Sequence, residues 1–352
     1  MLKKTKKKTE NEKTITTLQN YATLVSRKNH KNRLFVMKDM MKCKKIYGCS
    51  YQEYYYYRFD TLTDDERKTY ITEKKNQLLQ KEWNQKADVT FWNHKTALYQ
   101  QFQNDLNREF LLLTGDNLKE FTKFCKKNPT FIAKTNTRHS HHQIRKVVLN
   151  EHMKPEKVYE SLLEKNLNLL ETELQQEAKL KELYPKSINT IEFITVKHKG
   201  KVHITSAVLK IGNGSIVNNL YYGGMVAKID LKTGIVVTPG LDYRDHRYEK
   251  HPSTKTKIVD FEIPEFAVIK QYVLNLALKM KNTNYIAWDI ALCEDGPTLV
   301  DATMTPTWYQ FPEFMDQKKG KLPQMELLLG HKLEESKKKG SMSNSVGGPK
   351  NE

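Results

Sequence analysis

Residues 288–306 read WDIALCEDGPTLVDATMTP. Ile290 to Leu292 on one side and Leu299 with Val300 on the other flank a turn at Glu294-Asp295-Gly296, the pattern of a β-hairpin. Yet Asp289 and Asp301 stand inside those strands, where a core position favours valine. A buried carboxylate is costly unless it is paired, hydrogen-bonded or bound to a metal. A three-residue loop with Gly296 left-handed pairs Cys293 with Pro297 and, counting back, Asp289 with Asp301. Asp301 and Thr303 share a face by strand alternation, so three oxygen-bearing side chains then point the same way. A two-residue loop would turn Asp289 to the opposite face. Adjacent carboxylates repel, and a hard divalent cation such as Mg²⁺, which combines a few protein oxygens with waters and phosphates, removes the conflict. The alternative is two acids at solvated strand ends.

Working outward, the chain has 352 residues, enough for two or three domains. No apolar run reaches the ~18 residues of a membrane span. The start, MLKKTKKKTENEK, is charged without an apolar stretch, so no secretory signal is expected and the cytoplasm is the expected compartment. Cys43, Cys49, Cys125 and Cys293 lack a CxxC spacing and are read as reduced thiols. A formal charge of +18 calls for an anionic partner: a nucleotide, an anionic sugar carrier, a membrane surface or a nucleic acid. Much of the excess lies in KKTKKK at 3–8 and KKK at 337–339, so nucleic acid is not the expected main partner.

Four regions are expected: a basic tail over 1–30, disordered or loosely helical, a helical region over 31–108, an α+β body over 109–325 and a Lys/Ser/Gly-rich tail over 326–352. Thr63-Asp64-Asp65-Glu66 has the form of a capping box. The tyrosines 54–57 read as packing between helices. TIEFITVKHKGKVHITSAVLKIG (190–212) reads as a hairpin turning at HKGK, and MVAKIDLKTGIVV (225–237) as another. Asp116 is expected to cap a helix over 117–127, and a further helix follows Pro264.

YIAWDIALCEDGPTLVDATMTP resembles the closing strands of the sugar-transfer associated ATP-grasp family. The resemblance extends from about residue 45 to about 312 through LLETELQQEAKLKELYPKSINTIEF, SAVLKIGNGSIVNNLYYGGMVAKIDLKTG and HPSTKTKIVDFEIPEF, in that order. It implies an ATP-grasp fold, two α+β lobes clamping a nucleotide, preceded by the helical region. It also implies a ligase that uses ATP and Mg²⁺ to activate a carboxylate as an acyl phosphate, which an amine or similar acceptor attacks. The family's association suggests a sugar-linked or peptide substrate in cell-surface polysaccharide synthesis.

Matched position by position, Lys95 and Lys134 would meet phosphate or adenine, and Glu171, Thr172, Glu173 and Leu174 would form the hinge against adenine and ribose. Lys210 would stabilise the charge of the transferred phosphoryl group. Asp289, Asp301 and Thr303 would hold the metal. Asn219, Gly223 and Gly224 would line the substrate site, the paired glycines marking at least a close backbone approach. His251 is a candidate for proton transfer.

The pattern also breaks. The loop after Lys134, TNTRHSHHQIRK, contains no glycine, leaving Arg138, His139, His141, His142 and Arg145 to hold phosphate by charge. Thr303 replaces an asparagine, Asp301 a glutamate, and Glu192 an arginine. A catalytically silent nucleotide-binding protein with an anionic partner is therefore the second reading, and a basic nucleic-acid-binding protein the third.

Overall fold

The computed structural model of the protein describes residues 10–138 and 144–333. Helices come first: α1 (Glu10–Asn29), α2 (Arg33–Tyr47), α3 (Tyr51–Tyr56), α4 (Asp64–Lys68), α5 (Glu73–Asn84), α6 (Val89–Asn93) and α7 (Lys95–Gln101). Where a disordered or loosely helical tail is expected over 1–30, the structure has a packed helix: α1 buries Leu18, Ala22 and Val25 at helical spacing against Val36, Met40 and Cys43 of α2. Residues 1–9 lie outside the described residues. Asn32 caps α2 by accepting from the Leu34 and Phe35 amides, and Gly48 ends it in the left-handed region at φ 63°. Ser50 with Glu53 and Thr63 with Glu66 form reciprocal capping boxes on α3 and α4. Tyr54, Tyr55 and Tyr57 are buried beside Phe59 and Tyr70, so that run is packing.

Next come β1 (Phe110–Leu112), α8 (Leu118–Lys127), β2 (Thr130–Lys134), β3 (Ile144–Val148), α9 (Pro155–Glu164) and β4 (Leu169–Thr172). They form a four-stranded antiparallel sheet in the order β1-β4-β2-β3, packed on α8 and α9 through Phe121, Phe131, Tyr159 and Leu170. Asn117 occupies the cap position of α8, and Asp116 instead accepts from the Thr114 hydroxyl at 2.6 Å.

The chain then crosses to a second sheet through α10 (Ala178–Leu183). On the way it docks on the closing hairpin, where Glu177 N donates to Leu292 O at 3.0 Å. The remaining elements are β5 (Thr190–His198), β6 (Lys201–Ile211), β7 (Met225–Lys228), β8 (Gly240–Asp242), β9 (Arg247–Tyr248), α11 (Phe266–Lys279), β10 (Tyr285–Cys293), β11 (Gly296–Thr303) and α12 (Leu322–Leu329). Seven antiparallel strands run in the order β11-β10-β5-β6-β7-β8-β9. The body extends past residue 325, because Leu329 and Leu333 of the expected tail are buried.

The two faces of this sheet differ. One is sealed by α11, whose Ile269, Val273 and Leu276 pack with Phe193, Leu209 and Trp288. The other is covered in two places: α5 and α12 meet Ile194, Val196 and Tyr285, and Phe311 and Phe314 pack on Val208, Val226 and Leu241. Alternation along β5, β6 and β10 brings Glu192, Lys210 and Asp289 to this second face.

Candidate active site

The hairpin departs from the expected turn. Two residues join β10 to β11, with Cys293 opposite Gly296 and Leu292 opposite Pro297. Continued without interruption, that register would set Asp289 against Val300 and send Asp301 to the wrong face. Instead the pairing slips by one: Ile290 faces Leu299, Asp289 faces Asp301, and Val300 is left over as a bulge. The shared face is reached, by a route other than the expected loop.

The bulge is held by residues outside the hairpin. Arg108 donates to the carbonyl oxygens of Leu299 at 2.6 Å and Val300 at 3.1 Å, and the Tyr99 hydroxyl reaches Val300 O at 3.2 Å. The same two side chains bind Glu171, at 2.6 Å from Arg108 Nε and 3.1 Å from Tyr99. Lys134 completes the cluster with an ion pair to Glu171 and a 2.5 Å hydrogen bond to Tyr99. All four residues are buried. Burial favours a neutral Glu171, but Lys134 and Arg108 outweigh it and hold the carboxyl below its usual range. Lys134 and Glu171, expected at the nucleotide, thus lie within the buried cluster that ties the two sheets together. Of the other hinge residues, Thr172 Oγ1 accepts from Glu109 N at 3.1 Å and Glu173 pairs with Lys146 at 2.7 Å.

On the second face of the large sheet, Asp301, Asp289 and Glu192 occupy successive register positions across β11, β10 and β5. Lys210 reaches across from β6, donating to both Asp289 oxygens at 2.9 and 3.0 Å and to Glu192 Oε2 at 3.2 Å. Arg138 binds Asp301 Oδ1 at 2.6 Å, with Lys95 3.9 Å from Oδ2. Burial tends to raise Asp301, yet Arg138, Lys95 and Lys134 keep it well below the usual carboxylate range. Glu192 behaves in the opposite sense: burial, reinforced by Asp289, pushes it up to about 7 despite Lys210. Lys210 itself is raised well above its ordinary value, since Asp289 and Glu192 overcome its desolvation. Burial lowers Lys95.

A hard divalent cation fits this donor set. Glu192 Oε1 is buried with no hydrogen-bond partner, an acceptor left over beside Asp289. Strands lie about 4.8 Å apart, so three acids in a row do not converge, and among the described residues no group of three His, Cys, Asp or Glu side chains is placed to hold a metal. A cation here would rest on two carboxylates and complete its shell from phosphate oxygens and water. Thr303 shares the face, but its hydroxyl is engaged with the Thr305 hydroxyl at 2.9 Å and amide at 3.2 Å.

The acid row opens into a cleft of about 1330 Å³. Arg138, Glu192, Lys210, Asp289 and Thr303 line one side of it. The opposite wall comes from α1, α3, α5 and the turn before α3, including Tyr21, Ser50, Tyr56 and Asn76. Asn219 lines the cleft, whereas Gly223 and Gly224 shape the loop that carries it: Gly223 has φ 92°, and a Cβ on Gly224 would lie 2.4 Å from Asn218 O. His251 is a further correction. It is fully buried, its ring tilted by 34° against Tyr184, with Nε2 2.9 Å from Gly212 O and Nδ1 accepting from the Ser253 and Thr254 amides. Burial lowers its pKa, and its role is architectural. His139, His141 and His142 lie outside the described residues; Arg145 is exposed on the edge strand β3.

Sequence reading overlooked Arg108, Tyr99 and the helical wall, which carry no local signature. It noted Glu192 only as a reversed charge, although an acid inside the apolar run TIEFITV carries the same signal that singled out Asp289.

The profile of the sugar-transfer associated ATP-grasp family matches residues 124–317, more than half of the chain. The chain belongs to this family. Its fold is the ATP-grasp fold, with a helical region in front. Among solved structures, an N5-carboxyaminoimidazole synthase from Aspergillus clavatus in complex with ADP and 5-aminoimidazole ribonucleotide is 12% identical, with a TM-score of 0.38. That match covers 62% of this chain and 46% of the synthase, so the chain spans about half the length of this relative. D-alanyl-alanine synthetase A from Vibrio cholerae is 13% identical over 69% of this chain and 61% of its own, with a TM-score of 0.37. The ATP-grasp ligase PsnB, in complex with a minimal precursor, is 11% identical over 70% and 63%, with a TM-score of 0.39. No curated protein matches the sequence. Among the described residues, no helix of this ATP-grasp chain is long and apolar enough to cross a membrane.

Proposed function

We propose that the chain is an ATP-dependent ligase that activates a carboxylate as an acyl phosphate and passes it to an amine on a sugar- or peptide-linked acceptor of a cell-surface polysaccharide pathway. The observation that carries this reading is the cross-strand row Asp301-Asp289-Glu192, bridged by Lys210 and facing a cleft far larger than a nucleotide's phosphates need. The family description supports the sugar context.

Asp289 and Asp301 would hold Mg²⁺ carried by ATP, and the ion would add positive charge at the phosphates. Lys210, Arg138 and Lys95 already concentrate cations at one end of the cleft, which is what phosphoryl transfer asks of a protein. The backbone of residues 172–174, where the chain leaves the small sheet, would face adenine. The helical wall, rich in tyrosine and in polar side chains, would receive the acceptor and keep water from the acyl phosphate.

A silent nucleotide-binding protein is the second reading, and it has its own support. Both Asp289 oxygens are taken by Lys210, Glu192 stands where the family has a cation, and the Thr303 hydroxyl is committed to Thr305. Calorimetry with ATP and Mg²⁺, followed by ADP release with candidate carboxylates and amine acceptors, separates the two. Acceptor-dependent ADP release that disappears in Asp301→Asn and Lys210→Met is the expected result. Nucleotide binding without release under any acceptor favours the silent protein; no binding overturns both.

A further inference from the structure

Helix α2 is apolar on two sides. Val36, Met40, Cys43 and Tyr47 recur at helical spacing and are buried. On the opposite side Leu34, Phe35, Met41 and Ile46 are 68%, 65%, 47% and 56% exposed. At ~100° per residue these four share one stripe of about 140° with Lys38, Lys42 and Lys45. Large apolar side chains gathered in one exposed patch mark an interaction surface rather than scattered tolerance. Lys42 lies 3.4 Å from Asp64, both about half exposed, and no ion pair among the described residues involves Lys38 or Lys45.

The chemistry of the stripe narrows its occupant. The chain's own outer segments do not suit it: residues 1–9, MLKKTKKKT, carry the same charge sign, and residues 334–352 offer only Met342 and Val346 as large apolar side chains. A second copy meeting this face through the same face would set lysine against lysine. The stripe is the convex side of a single helix rather than a groove, and lysine stems can lie along neighbouring apolar groups while their ammonium ions reach outward. We infer that α2 docks the protein on an anionic lipid surface, with Leu34, Phe35, Met41 and Ile46 entering the headgroup boundary and the lysines meeting lipid phosphates. The chain's charge of +18 draws it toward such a surface. Lys44 and Gly48 to Tyr51, at the end of α2, line the cleft. On the ligase reading, docking therefore sets the cleft beside the membrane, where a lipid-linked acceptor would be presented.

Sedimentation of the full chain with vesicles tests this without nucleotide or acceptor, so its failure is independent of the ligase reading. The chain is expected to bind phosphatidylcholine vesicles containing roughly one-third phosphatidylglycerol, to ignore pure phosphatidylcholine, and to release as salt rises. Leu34→Ser/Phe35→Ser and, separately, Lys38→Gln/Lys45→Gln are each expected to weaken binding about tenfold or more, with melting temperature and ATP affinity unchanged because these side chains are exposed. Absence of binding to the anionic vesicles overturns the inference. So does full binding by both variants, which would assign it to the basic termini, or a dimer that Leu34→Ser/Phe35→Ser dissociates without any lipid binding.

Discussion

Two clusters of charge sit only a few residues apart in this fold and are built on opposite principles. In the Arg108-Glu171-Lys134-Tyr99 cluster every polar group finds a partner, and its two cations enclose a single carboxylate. In the Asp301-Asp289-Glu192 row acids outnumber the cations that touch them closely, one carboxylate oxygen is left without a partner, and the group faces a cleft. The first is saturated, and saturation in a dry interior gives rigidity. The second holds surplus negative charge that a cation can relieve, and that surplus marks it as a site. Equally unusual residues in neighbouring strands can thus serve architecture or chemistry, and the balance of partners tells them apart.

The largest effect should come from breaking the saturated cluster. Arg108→Met leaves Glu171 with one cation and strips donors from the Leu299 and Val300 carbonyls, and a loss of about 3–5 kcal/mol is expected in denaturant melts. Deleting Val300 probes the link between the clusters. Asp301 then follows Leu299 directly, so the register set by the two-residue turn still pairs it with Asp289 and keeps the shared face, while the Val300 carbonyl is lost as an acceptor for Arg108 and Tyr99. A loss of about 2 kcal/mol in denaturant melts is expected, with ATP-Mg²⁺ affinity in calorimetry within about threefold of the wild type. A folded protein whose affinity falls about a hundredfold would make the bulge itself part of the site.

His251→Asn sharpens the contrast from the architectural side, with an expected cost of about 2 kcal/mol in stability and no change in nucleotide affinity. The smallest effect is a pH dependence. Glu192 is raised from 4.5 to about 7, so the folded state holds this proton more tightly than the unfolded chain does. Its contribution is fully present below pH 4.5 and is lost as pH rises through about 7. Glu192→Gln removes that loss, offset in part by the partner Lys210 gives up, and should gain about 1 kcal/mol at pH 8 relative to pH 5. A variant whose melting temperature follows the wild-type pH curve would place the titration elsewhere.

Much of the fold was legible because it is written in local periodicity. The hairpin turning at Lys199-Gly200, the capping box at Thr63 and the buried tyrosines of α3 follow from alternation, cap chemistry and helical spacing. The packing of α1 was missed because its lysine-rich surroundings hide Leu18, Ala22 and Val25, whose value depends on the partner helix. Lys134 and Glu171 were placed at the nucleotide by the family resemblance alone; their mutual pairing is a distance, and no single segment contains it.

The sequence by itself determined that acids enter the core strands, that those strands form hairpins, and that the ordered set of motifs belongs to an ATP-grasp protein. Only the tertiary structure decided which way Asp301 points. A two-residue turn would have turned it away, and the slip at Val300 that turns it back is fixed by Arg108 and Tyr99, 192 and 201 positions upstream. Side-chain alternation is a local property of the strand, but its phase is set by backbone hydrogen bonds to groups that only folding brings near.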